Sequence, residues 1–163
     1  MEALKQLLLI MNNLLECNQK LLGLAKEKKK LLIENNIQEL HKLNHQELVC
    51  VDELQKLENR RVSCVKEYMS SFGITGKSFS LEELLDLPDQ NIQLFKAKLI
   101  DLAAHLRANI NEISHINENN QQLIQNSLSY LDYSMGILVP KEPSIGYGPK
   151  AAKRYSSLLD AKI

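Results

Sequence analysis

The sequence predicts an all-α protein: an antiparallel bundle, or coiled coil, of three long helices with a short connector helix and a flexible C-terminal tail. Three observations carry that prediction. Apolar residues recur at steps of three and four along nearly the whole chain, the spacing that puts them on one helical face. Capping signals and a lone Gly divide the pattern at a few points only. The Pro and Gly residues that forbid regular structure gather after residue 139. The helical domain is accordingly placed at 1–139 and the tail at 140–163.

The first helix is marked by Leu4, Leu7, Leu8, Met11, Leu14, Leu15, Leu21, Leu22, Ala25 and Leu32. Its stripe weakens at Asn18 and Lys28, which either cross the seam or face water. Asn35-Asn36 breaks the run, and Asn36 with Glu39 has the spacing of a capping box. The second helix follows Ile37, Leu40, Leu43, Leu48, Val51, Leu54, Leu57, Val62, Val65, Met69 and Phe72, and stops at Gly73. A turn this short makes the first two helices an antiparallel hairpin.

A connector runs from Gly73 to Pro88. Ser80 and Glu83 form a second capping box there, so Leu81 to Leu87 is a predicted short helix. Asp89 caps the third long helix, whose seam is Ile92, Phe95, Leu99, Leu102, Leu106, Ile113, Ile116 and Leu123. Asn109 and Asn120 take seam positions, a device that fixes register at some cost in stability. Beyond Leu123 the apolar set moves to Ile124, Leu128, Leu131, Met135 and Leu138, as after a stutter.

Lengths turn that shift into a functional expectation. At 1.5 Å per residue the second helix spans ~54 Å and the third ~73 Å, so the third overhangs the hairpin by ~20 Å. An apolar face with nothing of its own to cover it is a surface for another helix. Leu123, Ile124, Leu128, Leu131, Met135 and Leu138 are therefore the candidate partner-binding residues. Cover by the connector or tail, and a homodimer seam, are the competing readings. Tyr155, Leu158 and Leu159 give the tail a faint amphipathic pattern that suits such self-cover, although so short a helix is not stable alone.

Catalytic chemistry is sparse, and no enzyme activity or cofactor is expected. His41 and His45 share a face, but Lys42 stands where a zinc protease needs Glu, and no third ligand is in sequence reach. Glu112 and His115 make one Glu-x-x-His element where a di-iron bundle needs two. Gly146-Tyr147-Gly148 is too short for a nucleotide loop.

Twenty basic and twenty acidic residues cancel, which argues against a general nucleic-acid binder. The basic clusters at Lys28 to Lys30, Arg60 and Arg61, and Lys150, Lys153 and Arg154 carry no interleaved aromatics and read as solvated face. Cys17, Cys50 and Cys64 are widely spaced, which suits a reducing cytoplasm rather than a disulfide framework. The apolar run Leu7 to Met11 is too short for a membrane span and follows no basic n-region. A cytoplasmic protein is expected.

The stretch Leu54-Gln55-Lys56-Leu57-Glu58-Asn59-Arg60-Arg61 before Phe72-Gly73-Ile74 resembles the Leu-Glu-x-x-Arg segment of the FlgN family. So does the connector Ser80-Leu81-Glu82-Glu83-Leu84, as do the long final helix and the Tyr147-Gly148 tail. The resemblance implies a cytoplasmic flagellar type III export chaperone. Its implied cargo is the C-terminal helical segment of hook-associated (hook–filament junction) proteins, delivered to a membrane export-gate component. It also implies Tyr147 as a contact for that gate. The alternative is a coiled-coil structural or regulatory adaptor acting as a homodimer.

Overall fold

The computed structural model describes residues 2–138, and these contain four helices and no strand. Helix α1 is Glu2–Ile33, α2 is Ile37–Ser70, α3 is Leu81–Leu85 and α4 is Gln90–Leu138. The chain divides into two compact units, the first ending at Ser127 and the second beginning at Leu128.

Both long-helix ends in the first unit close by the same device. Asn35 adopts φ 53° and Gly73 φ 76°, the left-handed geometry that reverses a chain after a helix. At the first end, Asn36 N–H donates to the Leu31 carbonyl at 3.0 Å and Asn35 N–H to Leu32 at 3.4 Å. At the second, Ile74 N–H donates to Met69 at 3.2 Å and Gly73 N–H to Ser70 at 2.9 Å. These paired bonds satisfy carbonyls that a helix end otherwise leaves orphaned.

Only half of the predicted box forms at Asn36. Its Oδ1 accepts from Glu39 N–H at 3.3 Å, but the Glu39 carboxylate takes the Lys42 ammonium at 2.7 Å instead of reaching back. The box at Ser80 is complete: Glu83 N–H donates to Ser80 Oγ at 3.1 Å, and Ser80 N–H to Glu83 Oε2 at 2.6 Å. Helix α3 is shorter than predicted, ending at Leu85, yet Leu84, Leu85 and Leu87 are all buried.

Cross-helix contacts fix the directions. Cys64 Sγ meets the Ala3 carbonyl at 3.3 Å, Cys17 Sγ meets that of Cys50 at 3.5 Å, and Lys28 pairs with Glu47 at 2.7 Å. Helices α1 and α2 are thus an antiparallel hairpin. Helix α4 begins beside the end of α2, where Tyr68 donates to Asp89, and runs parallel to α1 until Asn120 meets Ala25. Its buried residues Ile92, Leu99, Leu102, Ile113 and Ile116 follow the predicted seam. Asn120, 3% exposed, holds the register by donating from Nδ2 to the Ala25 carbonyl at 3.0 Å.

The stripe of α1 is shifted slightly from expectation. Ile10, Cys17 and Leu31 are buried, Leu32 is only half-buried, and Asn18 lies inside with its amide bonded to the Leu14 carbonyl at 2.9 Å. The stripe of α2 is corrected more. Ile37, Leu48, Val51 and Phe72 are exposed, while Cys64 and Tyr68 are buried. From Leu57 to Met69 α2 shares the core with α1, α3 and the start of α4. Nearer the turn Leu43 is the buried residue of the predicted stripe, and Leu40 and Leu54 are half-buried.

Tyr68 and Asp89 lock the base of the bundle. Burial, and then the bond to Asp89, hold the Tyr68 phenol well above its ordinary pKa. The Asp89 carboxylate is held below the usual range by Tyr68 and by the Asn91 N–H, which donates to Oδ1 at 2.9 Å. That N–H contact makes Asp89 the cap of α4, as predicted.

Two predictions test these ends. Ser80→Ala should lower unfolding free energy by about 1 kcal/mol in urea titration, the usual cost of a lost N-cap. Asp89 has a depressed folded pKa, so its contribution is present above the unfolded carboxylate pKa and lost as pH falls through the folded value. Stability should therefore drop through the acid carboxylate range in the wild-type chain. Asp89→Asn should flatten that part of the profile while keeping a capping side chain.

Candidate functional site

The last part of α4 is a continuous helix on which most side chains are open. Leu128, Leu131 and Met135 are 56%, 54% and 40% exposed. Steps of three and four residues align them on one face. Leu138 is the final helical residue. Of the predicted set, Leu123 and Ile124 belong to the first unit, the former half-buried and the latter exposed.

Sequence reasoning missed a second row. Tyr130, Tyr133 and Ile137 repeat the same spacing on another face and are also exposed. Their signal was in the sequence, since they follow the aliphatic row at offset positions. Together the rows leave this segment apolar around much of its circumference. A helix of that character is ordinarily buried.

A second feature lies wholly within the first unit. A groove of about 280 Å³ is bounded by Leu21 of α1, Val51 of α2 and Ile124 of α4. The Lys28–Glu47 pair forms part of its wall, together with the amides Asn117, Asn120 and Gln121. Lys28 was expected on a solvated face, but its side chain and that of Glu47 are only 21% and 17% exposed. Lys29, Lys30 and Arg60 are exposed as expected, and Arg61 is clasped by Glu58 at 2.7 and 2.8 Å.

The reactive side chains are accounted for structurally. His41 and His45 are exposed, and among the described residues no cluster of three His, Cys, Asp or Glu could hold a metal ion. Glu112 pairs with Lys26 at 2.7 Å and His115 is exposed, beside Asn119. Burial is the main cause that pushes the Cys17 thiol up to about 11, which leaves little thiolate at neutral pH. Among the described residues no helix is long and apolar enough to cross a membrane. Tyr147, Lys150, Lys153, Arg154, Tyr155, Leu158 and Leu159 lie outside the described residues.

The FlgN protein family model matches residues 1–154. The chain belongs to the FlgN family. FlgN proteins are flagellar export chaperones, and the bundle described above is a FlgN chain with an exposed apolar end to its last helix. No curated protein and no solved structure matches this FlgN chain.

Proposed function

We propose that this protein is a cytoplasmic export chaperone that binds the C-terminal helical segment of hook-associated flagellar proteins and delivers them to the type III export gate. One observation supports the cargo site above others: Leu128, Leu131 and Met135 stand open along one face at the end of α4. An amphipathic cargo helix laid along Leu123, Ile124, Leu128, Leu131, Met135 and Leu138 would bury that face. In doing so it would mask its own apolar side and be kept from associating with other copies of itself.

Fully burying a Leu or Met side chain from full exposure is worth roughly 1.5–3 kcal/mol, and several such contacts work against the ordering cost of a disordered tail, about 2–5 kcal/mol. Met135 adapts its shape to different neighbours, which suits a chaperone serving more than one cargo sequence. Tyr130, Tyr133 and Ile137 offer further area, and aromatic anchors are effective in such contacts.

Calorimetric titration with C-terminal segments of hook-associated proteins tests the reading, with light scattering on the same samples for stoichiometry. A one-to-one complex is expected. Replacing both Leu131 and Met135 by Asp should weaken it by about a hundredfold or more, from the loss of two buried apolar contacts, with helicity retained. Unchanged affinity would rule this site out. A stable homodimer that binds no segment would favour the adaptor reading instead.

Tyr147 is the proposed gate contact, by its family resemblance. Tyr147→Ala should abolish co-purification with the export-gate component while leaving the calorimetric cargo titration unchanged. Retention of the gate interaction would assign that contact elsewhere.

A further inference from the structure

Two short stretches of α4 carry the same layout with opposite charge. Ala103, Leu106, Arg107 and Ile110 follow steps of three, one and three, and so do Leu128, Leu131, Asp132 and Met135. On a helix those steps set three apolar residues along a stripe with the charged one on its flank. The first stripe is flanked by a guanidinium and the second by a carboxylate.

The first stripe borders an open groove that lies wholly within the first unit. This groove has a volume of about 330 Å³, with Leu7, Met11 and Leu14 of α1 beneath it. Ala103, Leu106, Arg107 and Ile110 form its wall on α4, and Leu81 and Leu84 of α3 already rest on the same apolar lining. Ala103 and Leu106 are half-buried, whereas Arg107 and Ile110 are exposed. The other charged residues of the groove, Glu58 and Arg61, are committed to each other at 2.7 and 2.8 Å. Arg107 has no carboxylate partner among the described residues. What the groove offers is therefore apolar surface beside one uncommitted cation.

The second stripe is its complement. Leu128, Leu131 and Met135 are exposed, and Asp132 beside them is exposed too. It is the only charged residue from Leu128 to Leu138. Apolar stripes attract any partner, but charge decides which stripe meets which. Either stripe laid on its own counterpart brings together charges of one sign, whereas the two stripes laid on each other bring opposite charges together.

We propose that the end of α4 in one molecule docks on the Arg107 groove of a second copy of this chain, with Leu128, Leu131 and Met135 on its apolar lining and Asp132 against Arg107. Because Leu131 and Met135 also belong to the cargo face, a cargo helix and a second copy compete for them. The paired form is then the state of the empty chaperone. That competition rests on the chaperone reading; the contact between copies does not.

Sedimentation velocity on the full chain, over a range of concentrations at low salt, tests the contact. Wild type should associate as its concentration rises. Arg107→Asp and Asp132→Arg should each weaken that association by about tenfold, because each sets like charges together. Mixing the two variants in equal amounts should restore it, since Asp132 of the first then faces Arg107 of the second and the introduced charges are opposite as well. A variant that had merely failed to fold would not be rescued by mixing. Wild type that stays monomeric, association indifferent to both variants, or no recovery on mixing each overturns the proposal. Adding a C-terminal segment of a hook-associated protein should dissociate the paired wild type. A segment bound by a wild type that never pairs overturns the pairing alone, and pairing without segment binding overturns the chaperone reading alone.

Discussion

Helix α1 is the support on which the other helices of the first unit are assembled. Its buried residues Leu4, Leu7, Ile10, Met11, Leu14 and Cys17 belong to the same core as Leu57, Val65 and Met69 of α2 and Leu99 and Leu102 of α4. The backbones of α1 and α2 approach closely, whereas α4 stands further off and joins the core through Ile92, Leu99 and Leu102. That spacing has a physical result. Where α2 and α4 do not meet, the surface between them stays open, and the groove at Val51 and Ile124 is one such place.

Polar contacts set alignment rather than supplying most of the stability. The Lys26–Glu112 pair is about half exposed on each side, and pairs of that kind contribute little. Asn120 and the Tyr68–Asp89 bond act differently, since one ties a particular residue of α4, and the other the cap of α4, to a particular neighbour. A purely apolar seam would tolerate sliding by one heptad; a buried amide bonded to one carbonyl does not.

Much of this architecture was legible in the sequence because its signals are local. Ser80 with Glu83, Asp89 after Pro88, and Gly73 after Phe72 are decided by residues within a few positions of each other. The seam of α4 was readable for the same reason, and its two Asn positions were visible in it. The stripe of α2 was not, because its width depends on how many helices cover each stretch. Leu48 and Val51 satisfy the periodicity as well as Leu43 and Leu57 do, yet only the latter pair is buried. Of the candidate site, the aliphatic row could be read from spacing. The tyrosine row was overlooked, and the groove was invisible, because it joins residues as distant in sequence as Leu21 and Ile124, on three helices.

The exposed end of α4 also bears on how the molecule behaves in solution. Opposite charges balance across the chain, so copies carry no net repulsion to keep them apart at long range. Charge therefore does little to offset the tendency of exposed Leu128, Tyr130, Leu131, Tyr133 and Ile137 to associate. With that face open, encounters between copies are favoured, and the tendency to clump grows with concentration.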